Sequence, residues 1–97
     1  MSKRLHAIAR ILPTSEHLEA AREAIRAIVG RTRAEPGCLE FRVNEDVTDG
    51  SLHLYEEWAD EEALRHHHEQ PYTQHVFRCY EEWLAEPVQL IKLTPVT

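Results

Sequence analysis

Apolar residues fall on both faces of the first ordered stretch. Over residues 3–12, KRLHAIARIL, a period-two pattern puts Leu5, Ala7, Ala9 and Ile11 on one side and His6, Ile8, Arg10 and Leu12 on the other. Apolar groups on both sides predict a central strand, covered above and below. Pro13 stops it. Thr14 or Ser15 can cap the element that follows, and Glu16 and Glu19 suit the positive end of a helix dipole. The period then changes. Leu18, Ala21, Ile25, Ile28, Val29 and Thr32 recur at three- and four-residue spacing, which predicts a helix over 15–33, ended by EPG at 35–37.

Period two returns at 38–47, CLEFRVNEDV, with Leu39, Phe41, Val43 and Val47 on one face and Glu40, Arg42, Asn44 and Asp46 on the other. TDGS at 48–51 is a turn, and LHLYEEW at 52–58 is the returning strand. A four-residue turn sets Val47 opposite Leu52, Val43 opposite Glu56 and Phe41 opposite Trp58, so the two apolar faces agree. Asp60 is placed to cap a helix whose inward side carries Ala63, Leu64 and His67. Pro71 restarts the helix, and Tyr72, Val76, Phe77, Tyr80, Trp83 and Leu84 keep helical spacing to about residue 84. Pro87 ends that segment and VQLIKL at 88–93 is the last strand.

The order β-α-β-β-α-α-β predicts an α+β fold of ferredoxin-like plan, with helices on one face of an antiparallel four-stranded sheet. Residues 1–97 fit one domain. The opposite face mixes Arg42, Asn44, His53 and Tyr55 with Ile8 and Leu12. A second copy of the same sheet would cover such a half-polar surface, so a two-fold homodimer is expected.

The charge balance removes several partners. A net charge of −6, with no basic patch, argues against nucleic acid and against an anionic membrane. No apolar run approaches the ~18 residues of a membrane span. The N-terminal stretch lacks the apolar core of a signal peptide, so a cytoplasmic protein with Cys38 and Cys79 as free thiols is expected.

EEALRHHHEQPYTQH, residues 61–75, holds four of the seven histidines. Successive helical side chains point about 100° apart, so His66, His67 and His68 do not converge on one ion, and no metal or other cofactor is expected. His66 and His68 are expected to face water, and His75 has no assigned role. His67 shares the inward side with Leu64, where it serves either as a general base or as a buried structural partner. Glu56 lies between Leu54 and Trp58 on an otherwise apolar face, and a carboxylate there needs His67, Arg10 or a backbone donor. His67 and Glu56 are therefore the candidate catalytic pair. Trp58, Phe41, Tyr72 and Phe77 are candidate walls for a planar ring, though core packing would use the same residues.

EPGCLEFRVNEDVTDGSLHLYEEWADEEALRHHHEQPY resembles the antibiotic biosynthesis monooxygenase family of dimeric α/β-barrel proteins. The matching features are Pro36–Leu39, the acidic turn Asp46–Gly50, Glu56 with Trp58, Ala63 with Leu64, His67, and the closing strand VQLIKLTPV. The resemblance implies a cavity between sheet and helices in each subunit. It also implies cofactor-independent oxidation of a small aromatic substrate, a quinol or anthrone, by dioxygen. The same family contains enzymes that degrade haem and enzymes that process a signalling molecule. The first strand here lacks the Asn of the haem-degrading relatives. A phosphorylated signal would need cations, for which Arg10, Arg42 and Arg65 are available. A small-ligand-binding dimer without catalysis would keep the cavity and need no base.

Overall fold

The structure, a computed structural model, describes residues 3–97. Strands β1 (Leu5–Ile11), β2 (Cys38–Glu45), β3 (Leu52–Trp58) and β4 (Gln89–Leu93) form one antiparallel sheet in the order β2-β3-β1-β4. Helices α1 (Leu18–Arg26) and α2 (Val29–Arg33) lie between β1 and β2, and α3 (Glu61–His68) and α4 (Pro71–Trp83) between β3 and β4. This is the ferredoxin-like plan. Among the described residues no helix is long and apolar enough to cross a membrane.

The strand β1 is central, as its two-faced pattern predicts, with β3 on one side and β4 on the other. Ala7, Ala9 and Ile11 are buried, and Ala9 and Ile11 belong to one core cluster with Ala21, Ile25, Leu64, Val76 and Tyr80. His6, Ile8 and Arg10 on the other face are only half-buried. The small side chain of Ala9 leaves room above the sheet that a larger one would fill.

The helix expected over 15–33 is three pieces. A 3₁₀ turn, Ser15–His17, precedes α1, and the chain breaks between Arg26 and Val29. Thr14 makes no cap; its hydroxyl lies 2.8 Å from His17 Nδ1 and donates to the Trp83 carbonyl at 3.3 Å, tying the start of α1 to the end of α4. The predicted apolar stripe survives the break, with Ala21, Ile25, Ile28 and Thr32 buried. Asp60 caps α3 as expected, its carboxylate accepting from the Ala63 N–H at 2.8 Å. Pro71 opens α4 after an extended Gln70, the conformation that a residue before proline favours.

The β2–β3 register departs from expectation by two residues. Phe41 faces Glu56, Val43 faces Leu54 and Glu45 faces Leu52. The cause is a longer turn. Asp46 accepts from the Thr48 N–H through its side chain at 2.7 Å and from the Gly50 N–H through its carbonyl at 2.9 Å. Gly50 sits at φ 76°, a region other residues rarely take. Val47 is thereby thrown into the turn, fully exposed, rather than onto the core face. A two-residue slip keeps the parity, so Phe41 still points inward. Leu39 does not, because a bulge between Cys38 and Glu40 resets the alternation and leaves it 46% exposed. Next to that bulge, a Cβ on Gly37 would lie 2.3 Å from Ala63 Cβ, so the glycine lets α3 approach the start of β2.

Candidate functional site

Between the sheet and the helices lies a cavity of about 210 Å³. Its floor includes Ala9, Ile11, Leu54 and Glu56 from the sheet, and α4 contributes Thr73, Val76, Phe77 and Tyr80 at helical spacing. The lining residues that keep exposure are His68, Phe77, Val88 and Leu90, which places the mouth between the α3–α4 corner and the approach to β4. Most of the wall is apolar. No Lys or Arg lines it among the described residues.

His67 stands in this wall, 4% exposed. Its ring stacks on Trp58 at 4.8 Å between centroids and meets the edge of Phe41 at 5.6 Å. Its Nδ1 lies 2.9 Å from Oε2 of Glu35. The Tyr72 hydroxyl donates to the same oxygen. An acceptor carboxylate assigns the proton to Nδ1 and leaves the lone pair on Nε2, the tautomer a general base needs. Burial holds the His67 pKa below its ordinary value, while the Glu35 hydrogen bond and charge push the other way.

The expected His67–Glu56 contact is absent, and Glu56 is not bound by Arg10 either. Glu56 accepts from the Trp58 indole N–H at 3.0 Å, two residues along the same strand. Alternation explains this: Glu56 and Trp58 share the helix-facing side of β3 and both are buried. Arg10 lies across the sheet, paired with Glu86 at 2.6 Å and with Asp49 at 3.6 Å. Burial pushes the Glu56 carboxyl up to about 7, against the lowering effect of the indole bond, and the Glu35 charge adds to the rise. Glu56 thus carries a proton much of the time at neutral pH and can either give or take one.

The wall residues divide. Phe41 and Phe77 line the cavity. Trp58 does not touch it; fully buried, it backs His67 and anchors Glu56. Tyr72 does not line it either. Its ring lies in a surface groove beside α4, with the Arg31 guanidinium 4.7 Å from its centroid, and only its hydroxyl reaches inward, to Glu35. His68, expected in water, is half-buried, lines the cavity and meets Phe77 edge-on at 5.6 Å. Burial, with the His67 and Lys92 charges, lowers its pKa. The helix turns inward at both His67 and His68 because the cavity mouth, not solvent, lies beside its last turn. His66 is exposed as expected, and exposed His75 lies 3.8 Å from Cys79 Sγ. Cys38 and Cys79 are free.

Glu35 is the residue that pattern reading misses. In the sequence it is part of a helix-ending EPG, and nothing local marks it as buried. The signal available was its type: a carboxylate directly after α2, followed by Pro36 and Gly37, which turn the chain and bring Glu35 beneath α3.

The antibiotic biosynthesis monooxygenase family model matches residues 4–79, most of the chain. The chain belongs to that family. Among curated relatives, "Putative monooxygenase Rv0793" of Mycobacterium tuberculosis is 30% identical over 99% of this chain and 95% of its own length. The solved structure of Rv0793 superposes with a TM-score of 0.92, covering 97% of this chain and 96% of that one. PA3566 from Pseudomonas aeruginosa superposes with the same TM-score, 0.92, at 32% identity, covering 100% of this chain and 98% of that one. The ferredoxin-like sheet and helices are therefore the family's own architecture. Among the described residues of this member, no group of three or more His, Cys, Asp and Glu side chains could hold a metal ion.

Proposed function

We propose that the protein is a monooxygenase that oxidises a small aromatic substrate, a quinol or anthrone-like compound, with dioxygen and without a cofactor of its own. The observation that carries this reading is the Glu35–His67 pair in the wall of a largely apolar cavity. His67 Nε2 removes a phenolic or benzylic proton. The resulting anion is electron-rich enough to reduce dioxygen directly. One oxygen atom enters the substrate, the other leaves as water, and the substrate supplies all four electrons. A dihydroxybenzene plus dioxygen thus gives a hydroxyquinone plus water. Glu56, poised near neutrality, returns a proton to the reduced oxygen. The apolar walls exclude water and strengthen every charge interaction within.

Family membership and the monooxygenase name of a relative at 30% identity support the reaction class. The absence of a cation from the described cavity lining speaks against a phosphorylated signal: Arg10, Arg42 and Arg65 are engaged elsewhere by Glu86, Glu40 and Glu62.

The reading includes a homodimer through the open sheet face. There Tyr55, Ile8 and Ile91 are in register across β3, β1 and β4, and Ile91 and Leu93 remain 48% and 40% exposed. A row of this kind at the centre of a sheet suits a second copy. Enzyme-dependent oxygen uptake with simple quinols tests the proposal; uptake no faster than the autoxidation blank, with ligand binding intact, would leave a binding protein in its place.

A further inference from the structure

Two donors converge on one oxygen of Glu35, and one of them lies outside the cavity. His67 Nδ1 is 2.9 Å from Oε2, and the Tyr72 hydroxyl donates to the same atom, while Oε1 has no hydrogen-bond partner. Tyr72 is half-buried in the first turn of α4, with its ring in the surface groove against the Arg31 guanidinium. The Arg31 carbonyl lies 3.4 Å from the same hydroxyl, but the carboxylate is the nearer acceptor and the charged one, so it holds the stronger bond. Burial, then the Glu35 bond and charge, pushes the Tyr72 phenol up to about 12, so it stays a donor at any working pH.

A second donor on that oxygen changes what the carboxylate does to His67. A buried imidazole beside an undivided carboxylate readily gains a second proton and becomes half of an ion pair, with no lone pair left for a substrate. A carboxylate that already accepts from a neutral hydroxyl has spent part of its charge there and attracts the imidazolium less. The other groups around the ring supply no such brake. Trp58 and Phe41 are its uncharged ring contacts, and His68 is its neighbour on α3, 5.6 Å between centroids. Glu56, on β3, carries a proton much of the time at neutral pH, and Cys38, on β2, is pushed up to about 11 by burial and stays neutral. The Lys92 charge, on β4, acts on His68. Among the described residues, Glu35 is the charged side chain bonded to the ring, and Tyr72 is its other side-chain partner.

We propose that Tyr72 is a positioning residue for the His67 base: from outside the cavity its hydroxyl takes a share of Glu35 Oε2, so that the carboxylate fixes the ring proton on Nδ1 without drawing a second proton onto Nε2. The proposal rests on the oxygenase reading only for the use to which the base is put, since the state of the ring is measurable without turnover. Tyr72 touches neither the cavity nor a substrate in it, and acts through Glu35 alone. The Arg31 guanidinium against its ring holds the phenol in the groove, with its hydroxyl turned toward the carboxylate.

The test is NMR titration of the His67 ring, with oxygen uptake followed against pH, in the wild type, Tyr72→Phe, Glu35→Gln and the double variant. Tyr72→Phe keeps the ring against Arg31 and removes only the hydroxyl. Its His67 midpoint should move to higher pH, opposite in direction to Glu35→Gln, with Nδ1 still carrying the proton of the neutral ring. Quinol uptake should fall on the acid limb and return at the plateau to within about twofold of the wild type. With Glu35 replaced by Gln, the same removal should leave the midpoint where it is, because the route runs through the carboxylate. A midpoint in Tyr72→Phe that stays put or moves down, or one that moves equally without Glu35, would overturn the proposal and leave Tyr72 a tether between α4 and the α2–β2 corner. The predicted midpoints, together with no oxygen uptake from any quinol, would uphold it and sink the oxygenase reading alone.

Discussion

His67 bonds a carboxylate 32 residues earlier in the chain, Glu35, and not Glu56, which shares the cavity wall with it. The base candidate is therefore oriented from the α2–β2 corner, while Glu56 is held by Trp58 and stays free to exchange its own proton.

Glu35 fixes the His67 tautomer and raises its basicity, so Glu35→Gln should lower quinol turnover by on the order of 10- to 10²-fold, with a smaller change in KM. The sign of the pH effect follows from the same contact. Glu35 raises the His67 pKa against burial, so its loss lowers that pKa further. The acid limb of the rate profile should move to lower pH even as the plateau drops. NMR titration of the His67 ring in the two proteins checks the shift without reference to activity.

Glu56 makes a separate prediction about stability. Its folded pKa of about 7 lies above its ordinary value of 4.5, so between those values the native state binds more protons than the unfolded chain. Stability contributed by the protonated group is therefore lost as pH rises from about 4.5 through about 7. Glu56→Gln keeps an acceptor for the Trp58 indole and removes the charge. It should be more stable than the wild type at pH 8, by on the order of 3 kcal/mol at most, and equal to it near pH 4. His67 acts oppositely, since its lowered pKa penalises the folded state at acid pH, so the difference between variant and wild type is the quantity to follow. Urea melts across the range measure it.

Gly37→Ala puts a methyl 2.3 Å from Ala63 Cβ, where neither the strand nor the helix has a flexible side chain to move. A loss of about 1–3 kcal/mol is expected. Because α3 also carries His67, the variant should lose turnover beyond what its stability accounts for, measured well below its melting temperature.

Ile91 is half exposed at the end of the Tyr55–Ile8–Ile91 row. Ile91→Asp should leave the fold intact and convert a protein of twice the chain mass into a monomer on light scattering. A dimer unchanged by that charge would place the interface elsewhere.

Much of this was legible in the residues. The two-faced pattern of β1 marked the central strand, and the alternation that placed Glu56 and Trp58 together is correct even though the register is two residues off, because a slip of two preserves the face. The spacing from Leu64 placed His67 inward, and His67 is buried. What the pattern could not carry was tertiary. The bulge at Cys38 lies beside the close passage of Gly37 past Ala63, a contact between elements far apart in the chain that no local pattern shows. Glu35 acquires its role only when α3 folds over it, and Tyr72 leaves the cavity because its hydroxyl is drawn to that same carboxylate. His68 reads as wet by periodicity alone, since nothing in the chain reveals that a cavity mouth lies beside it.

The central claim is that His67 takes a proton inside this cavity and that dioxygen needs nothing further. Oxygen uptake by the wild type and His67→Ala, with a one- or two-ring quinol, in the presence and absence of a chelator, tests it most directly. Wild-type uptake well above the autoxidation blank, indifferent to chelator, and a loss on the order of 10²-fold or more in His67→Ala are the predicted results. Equal uptake by the two proteins, or a wild-type rate abolished by chelator, would contradict the account.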